Sequence, residues 1–268
     1  MNRCVLSAAL VCLLAACGGG HGVAEFARWD ADLRAAGKLR ADRAPMDAPY
    51  GPDDIVESFA RIGFGSEFEI VDGRYERLPP EDEAPLTRWG GPVRYALFGR
   101  HDADDRAALS GYAERLERAT GLDIARDAGR PNLLVFFLDE AGRARVRELF
   151  RRTPDYKPLS DLFEAWADDA RWPCAAEFYY RPPGDARAHE IYFAVVYIRD
   201  EVRGLSRRSC IEEEVAQTMG LARDDEAARP SIFNDDEEFA RLAEHDAALL
   251  SLLYDRRLSP GMTADEAL

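Results

Sequence analysis

The chain has 268 residues, 47% of them hydrophobic, with 50 acidic and 35 basic side chains and a formal net charge of −15. A chain of this length can bury one sizeable core. Its acidic excess argues against nucleic acid or an anionic lipid surface as a partner, because both would repel it.

The N-terminus has the pattern of an export signal. A short basic segment, Met1-Asn2-Arg3, precedes an apolar run from Cys4 to Ala16. This run is too short to span a bilayer, because a helix needs about 20 residues to cross the hydrocarbon layer, but it suits the hydrophobic part of a signal peptide. The sequence therefore predicts a signal peptide over residues 1–16.

The end of that run has the pattern of a lipoprotein processing site. Leu14-Ala15-Ala16-Cys17 places one apolar and two small residues before a cysteine that would be acylated. The alternative is an ordinary signal peptide with an accidental cysteine nearby. We expect lipidation at Cys17, which attaches the protein to a membrane through a flexible tether over residues 17–22. Because Gly18 follows the cysteine where an aspartate would favour the inner membrane, we expect the outer membrane, facing the periplasm.

Cys174 and Cys210 are the cysteines that remain after the signal segment and Cys17. An oxidising compartment such as the periplasm favours a disulfide between them. Two buried free thiols are the alternative. A structural zinc site is disfavoured, because cysteines are few and the histidines stand singly along the chain.

An N-terminal extension is predicted over residues 23–85, and we expect it to pack on the main domain. Its predicted elements are a helix over 23–37 that ends at Gly37, a short helix capped by Asp53, a hairpin over 68–75 that turns at Asp72-Gly73, and an acidic, proline-rich linker over 78–85.

Strands alternate with helices in the main domain, residues 86–268. The predicted elements are strands over 92–98, 123–127, 132–138, 178–181 and 190–198, a long helix over 103–120 that Gly121 stops, and a polar helix over 141–151. This order is typical of an α+β domain with one mixed sheet.

The segment from Ser209 to Leu221 carries the strongest functional pattern. Ser209 and Glu212 have the spacing of a capping box, which predicts that a helix starts there. Glu213 and Gln217 are four residues apart and share one face of that helix, with Glu214 beside them. Gly220 is placed to end the helix.

Residues 213–220 resemble the H-E-x-x-H-x-x-G motif of the zincins, the zinc metallopeptidases. The match holds at Glu214, where the family has its general base, and at Gly220, whereas Glu213 and Gln217 stand where the family has zinc-binding histidines. The resemblance implies a zincin-like domain with a central motif helix. In the metzincin branch the third ligand would fall at Arg223, which cannot bind a metal, beside Asp224.

The ligands offered here are therefore oxygens alone. Oxygen ligands suit calcium or magnesium rather than zinc, and we expect no resident zinc or other cofactor. The acidic run over residues 234–238 has the composition of a calcium site without its spacing, and a helix start with a solvated face is the alternative. Glu212, Glu213 and Glu214 could equally serve to favour the positive N-terminus of the helix dipole.

The whole chain resembles a family of secreted bacterial lipoproteins of unknown function. The residues that carry this likeness are the processing site at Cys17, the run Cys-Ile-x-Glu-Glu-x-x-Gln from Cys210, and Pro230 to Phe239. Within the zincin frame, residues 229–234 resemble the turn beneath the metal, with Phe233 in place of methionine. Residues 242–254 resemble the closing C-terminal helix.

Three functions remain open from the sequence. The first is a lipid-anchored envelope protein that binds a peptide or a partner protein without catalysis, in the cleft of a degenerate peptidase. The second is an atypical hydrolase that uses Glu214 as general base, with Glu213, Gln217 and Asp224 holding an ion or a water molecule. The third is an adaptor that acts through its N-terminal extension.

Overall fold

A computed structural model describes residues 21–66, 68–71, 74–79, 83–153, 157–234 and 236–268. The expected signal peptide and Cys17 lie outside the described residues. Across the described ranges, no helix combines the length and the apolar character needed to cross a membrane.

The chain forms an α+β fold, as the sequence predicts. The helices are α1 (His21–Ala35), α2 (Pro52–Ile62), α3 (Ala103–Thr120), α4 (Glu140–Arg152), α5 (Lys157–Asp168), α6 (Gly204–Gln217), α7 (Glu244–Leu253) and α8 (Ala264–Ala267). The strands are β1 (Phe68–Val71), β2 (Arg74–Arg77), β3 (Arg88–Trp89), β4 (Val93–Gly99), β5 (Ile124–Arg126), β6 (Leu133–Leu138), β7 (Cys174–Tyr180) and β8 (Glu190–Arg199).

The central sheet is mixed. Strands β5, β4, β6 and β8 lie side by side in that order, and all pairs along this path are parallel. Strand β7 pairs antiparallel with β8 and forms the sheet edge, and the short β3 pairs parallel with the start of β8. Strand β7 thus runs against the direction of the other long strands.

Helices cover both faces of the sheet, which explains the continuous apolar run of β8. Val196 and Ile198 face a core that is shared with α3, α6 and α7. Val195 and Tyr197 face a second core that Phe163 and Trp166 of α5 fill. Because both faces of β8 are buried, its side chains do not alternate between apolar and polar.

Helix α3 follows its sequence signals closely. The Asp102 side chain accepts a hydrogen bond from the Asp105 N–H, and the Asp105 carboxylate accepts one from the Asp102 N–H. Gly121 ends the helix in the left-handed region at φ 71°, which glycine adopts without strain. The predicted bounds of this helix are confirmed.

The described N-terminal elements pack on the rest of the chain. Phe59 and Ile62 of α2 lie in the same core as Val135 of β6. Helix α2 starts at Pro52, so Asp53 lies inside its first turn and does not cap it as expected. Strands β1 and β2 form the predicted hairpin, and the residues of its turn, 72 and 73, lie outside the described residues.

Two elements on the second face of the sheet differ from the prediction. Strand β7 begins at Cys174 rather than at Phe178, and its first residues are too small to show an apolar alternation. Helix α5 was not predicted from the sequence. Helix α4, which precedes it, spans one residue more at each end than the predicted 141–151.

Helix α6 begins at Gly204, so the predicted helix start at Ser209 is wrong. The residue before it, Arg203, makes no capping hydrogen bond through its side chain, and the true start therefore carries no sequence signal. Glu212 does not form a capping box, because its carboxylate binds Arg43 and Arg241. The interpretation of Glu212, Glu213 and Glu214 as residues that favour the helix N-terminus is also wrong, because they lie in the C-terminal half of α6.

The end of α6 is fixed as expected. The helix stops at Gln217, and Gly220 follows at φ 114°. A Cβ atom at Gly220 would lie 2.1 Å from the Thr87 carbonyl oxygen. The Trp89 indole N–H donates to the Thr218 carbonyl at 2.8 Å, which satisfies an acceptor at the end of the helix.

The predicted disulfide between Cys174 and Cys210 is present. It joins the start of β7 to α6, with the two Cα atoms 5.8 Å apart and the cysteines separated by 36 positions in sequence. Both residues are buried in the core beneath the sheet. The bond therefore ties the edge strand to the motif helix.

Replacement of both cysteines by alanine should lower the free energy of unfolding by about 4 kcal/mol, because the crosslink restricts the unfolded chain. Urea denaturation followed by circular dichroism measures this change. Reductant should lower the midpoint of the wild-type chain and leave that of the double variant unchanged. A loss below about 1 kcal/mol would contradict the assigned role of the bond.

Candidate functional site

A cavity of about 630 Å³ lies between α6 and the edge strand β7. Its volume is in the range of ligand-binding clefts. Residues of β1, β2 and α5 form its outer wall, and residues 222–237 contribute to its rim. The site is therefore assembled from segments that are far apart in sequence.

All four side chains singled out by the sequence pattern line this cavity. They are Glu213, Glu214, Gln217 and Asp224. Glu214 is the most deeply placed, at 7% exposure. The Gln217 side-chain amide donates to the Asp224 carboxylate at 3.4 Å, which links the helix to the segment after it.

Helix geometry explains this convergence. Glu213 and Gln217 are one turn apart on α6, and Glu214 is rotated from Glu213 by about 100°. The cavity is wide enough for side chains that point in both directions to reach it, so the two adjacent glutamates line it together. Arg223, which stands at the third ligand position of the zincin frame, is buried and does not line the cavity.

Strand β7 forms the opposite wall and presents backbone groups. The Arg199 N–H donates to the Pro173 carbonyl at 3.0 Å, so these two residues form a hydrogen-bonded pair of the antiparallel ladder. Every second residue of β7 directs its backbone N–H and C=O groups toward β8, and the residues between, Ala176 and Phe178 among them, direct these groups away from β8. Within the part of the chain that the structure describes, β7 pairs with β8 alone.

Aromatic side chains form much of the outer wall. The rings of Phe68 in β1 and Trp172 lie edge to face with centroids 5.2 Å apart. The Arg77 guanidinium lies 5.5 Å from the Phe68 centroid, within the range of a cation–π contact. The hairpin is thus held over the segment that leads into β7.

The cavity is strongly acidic. Among the residues that the structure describes, seven carboxylates line the cavity and Arg77 is the one basic side chain. The acidic residues are Glu69, Asp161, Glu177, Glu213, Glu214, Asp224 and Glu237. A cleft lined by one sign of charge concentrates ligands of the opposite sign, so this cavity favours cationic ligands.

Glu177 on β7 has a perturbed acidity. Burial raises the pKa of its carboxyl group, and the nearby Asp161 raises it further, against a hydrogen bond from the Tyr179 hydroxyl that lowers it. That hydroxyl donates to the Glu177 carboxylate at 2.6 Å. Glu177 therefore takes up a proton at a higher pH than an exposed glutamate.

The turn beneath α6 is held by a buried aspartate of α7. The Asp246 carboxylate accepts from the Ser231 hydroxyl at 2.6 Å and from the Ile232 N–H at 3.0 Å. Phe233, which stands where metzincins have methionine, is fully buried in the core. His245 is buried beside Asp246, as a core histidine rather than a residue of the cavity.

The described residues of the acidic run, 234 and 236–238, do not start a helix, and residue 235 lies outside the described residues. The Asn234 side chain accepts a hydrogen bond from the Asp236 N–H, and the Asp236 side chain accepts one from the Glu238 N–H. Glu238 pairs with Arg40 and Arg229. The next helix, α7, begins only at Glu244.

Among the residues that the structure describes, no group of three or more histidine, cysteine, aspartate or glutamate side chains is close enough to hold a metal ion. The sequence does not predict which elements face α6 across the cavity, namely β7, α5 and the β1–β2 hairpin. No pattern among neighbouring residues indicates that these elements converge on α6.

Two comparisons with known proteins bear on this site. Residues 52–268 match a family described as a protein of unknown function, DUF2927. No curated protein sequence matches the chain. The matched range includes α6, β7 and every described wall of the cavity.

The raised pKa of Glu177 predicts a pH-dependent loss of stability. Between the pKa of an unfolded glutamate, about 4.3, and the raised pKa of Glu177, the folded chain binds more protons than the unfolded chain, so stability falls as pH rises. Glu177→Gln removes this fall. Chemical denaturation at several pH values should show the wild type losing stability relative to the variant across that window. A difference that is constant with pH would refute the assignment.

Proposed function

The chain belongs to the DUF2927 family of proteins of unknown function, and we propose that it is a lipid-anchored envelope protein that binds an extended, basic peptide segment without cleaving it. One observation carries this proposal. The outer edge of β7 borders a large acidic cavity, and α6 forms the opposite wall.

An open strand edge is a template for a further strand. The N–H and C=O groups directed outward at Ala176 and Phe178 can pair with an extended peptide, which gives affinity that does not depend on the peptide sequence. The disulfide at Cys174 keeps this edge at a fixed distance from α6. The edge is therefore preorganised, which reduces the entropy lost on binding.

The charge of the cavity selects the side chains of the peptide. In an added strand, successive side chains point to opposite sides. Glu213 and Glu214 stand on the α6 side of the cavity and Asp161 on α5 stands in its outer wall. Lysine or arginine residues find carboxylates on either side, and this attraction weakens as salt is added.

We propose that the domain has a zincin-like fold whose metal site is degenerate. The order of elements supports it: a strand, a long helix, two strands, the helices α4 and α5, an antiparallel edge strand, a further strand, the motif helix α6 and the closing helix α7. Glu213 and Gln217 offer oxygen where a zinc peptidase offers imidazole nitrogen. We therefore propose that the cleft that would hold the substrate of a zincin peptidase here binds a peptide without hydrolysing it.

The second candidate is an atypical hydrolase with Glu214 as general base. The depth of Glu214 in the cavity favours this candidate, because a buried carboxylate is screened from bulk water. Glu213, Gln217 and Asp224 would hold an ion or a water molecule beside it. Binding and cleavage of the same peptide, measured together, separate the two functions.

Ala176→Pro should weaken peptide binding by roughly tenfold, because the substitution removes an N–H that faces the incoming strand and leaves pairing with β8 intact. The probe is a fluorescent octapeptide of alternating lysine and threonine, and binding is measured by fluorescence anisotropy. Ala176→Gly, which keeps the N–H, is the matched control. A peptide of alternating glutamate and threonine should not bind.

Equal affinity of the proline and glycine variants would refute strand addition. Glu214→Gln distinguishes the hydrolase, since mass spectrometry of the incubated peptide detects cleavage. The binding proposal expects an uncleaved peptide with both the wild type and Glu214→Gln. Cleavage by the wild type that is lost in Glu214→Gln would establish the hydrolase instead.

Membrane attachment through Cys17 is a separate part of the proposal, supported by the sequence pattern at residues 14–17. Cys17→Ser should abolish incorporation of labelled palmitate and move the protein from the membrane to the soluble periplasmic fraction. A palmitate label that persists in the serine variant would rule out Cys17 as the acylated residue. Fractionation of outer and inner membranes tests the expected location of the wild type.

A further inference from the structure

A second cavity, of about 310 Å³, lies on another side of α6. It is lined by Arg43, Ala107, Ala108, Gly111, Tyr112, Arg208, Glu212 and Arg241. Glu212 precedes Glu214 by two residues and so points about 200° away from it around the helix. The two cavities are therefore distinct, and the charge of this one is opposite, since three arginines and one glutamate stand among the described residues that line it.

Glu212 organises two of these arginines. Its carboxylate, at 2% exposure, accepts from Arg43 Nη2 at 3.0 Å and from Arg241 Nε at 2.5 Å. The Leu242 N–H donates to the same carboxylate at 2.9 Å. Each guanidinium has five N–H donors, so one carboxylate positions both arginines and leaves donors of each for a ligand.

Arg208 adds a positive charge that has no ion-pair partner among the described residues. It lies on α6 one turn before Glu212 and lines the cavity. Across the described ranges, its side chain forms no ion pair with a carboxylate, and Glu212 pairs with Arg43 and Arg241 instead. A half-buried arginine of this kind attracts an anion into the cavity.

Tyr112 supplies an independent sign of a missing ligand. Its side chain is 3% exposed, and its hydroxyl has no hydrogen-bond partner among the described residues. Buried polar groups are nearly always hydrogen-bonded, so an orphan hydroxyl at a cavity requires an explanation. Burial, together with Glu212, raises the pKa of Tyr112, so the hydroxyl remains a proton donor.

Small residues on α3 leave room for this ligand. Ala107, Ala108 and Gly111 form one wall, and a Cβ atom added at Gly111 would meet no atom within 4 Å. The charges behind the cavity also favour an anion. Burial and the neighbouring guanidinium groups of Arg241 and Arg115 lower the pKa of Arg43, in spite of Glu212.

We propose that this cavity binds a small soluble molecule through its phosphate group. Arg43, Arg208 and Arg241 converge on the cavity from separate segments, with Tyr112 in its lining, which suits a group with several oxygens arranged in three dimensions. Guanidinium groups bind phosphate through paired hydrogen bonds. A planar carboxylate uses fewer of these donors. This site is independent of the peptide groove on the other side of α6.

Isothermal titration of the full chain with inorganic phosphate, at constant ionic strength, tests the proposal. Arg208→Gln should weaken phosphate binding about tenfold or more, since it removes a charge-assisted contact. Arg118→Gln makes the same charge change at an exposed position of α3 outside the cavity and should leave the affinity unchanged. Acetate should bind far more weakly than phosphate.

Tyr112→Phe separates a ligand contact from a structural role. The variant should keep or increase the stability of the empty protein, because it removes an unsatisfied buried hydroxyl, and should weaken phosphate binding several-fold. Equal phosphate affinity of the wild type, Arg208→Gln and Tyr112→Phe would overturn the proposal. So would binding through Arg208 to vesicles that contain phosphatidic acid without binding of soluble phosphate.

Discussion

The disulfide between Cys174 and Cys210 fixes the edge strand β7 against helix α6, and the main cavity depends on this link. The two elements supply its opposite walls, and they come from separate segments of the chain. A covalent tie between them restricts the width of the cleft. The open edge of β7 is thereby kept at a constant distance from Glu213 and Glu214.

Helix α6 carries charge inside the protein, and two of its buried charged residues, Arg207 and Glu212, form ion pairs. Arg207, near its start, makes paired hydrogen bonds of 2.7 and 2.8 Å to Asp105 of α3, and Glu212 holds Arg43 and Arg241. An unmatched buried charge would be strongly destabilising. These bonds orient α6 about its own axis, so that Glu213 and Glu214 face the acidic cavity and Arg208 faces the basic one.

Much of the fold could be predicted from local sequence patterns. The stop signal of α3 at Gly121, the apolar run of β8 and the face shared by Glu213 and Gln217 are properties of residues that are close in sequence. The start of α6 could not be predicted, since Arg203 makes no side-chain cap. The cavity walls were missed as well, because contacts such as that between Phe68 and Trp172 join residues far apart in sequence.

The central claim is that a peptide adds to the outer edge of β7. Amide hydrogen exchange of the full chain, measured residue by residue by NMR with and without the lysine–threonine octapeptide, tests it most directly. If a strand is added to β7, the amides of Ala176 and Phe178 gain protection, whereas those of Ala175 and Glu177, whose N–H groups face β8, change little. Unchanged exchange at Ala176 and Phe178 in the saturated complex would contradict it.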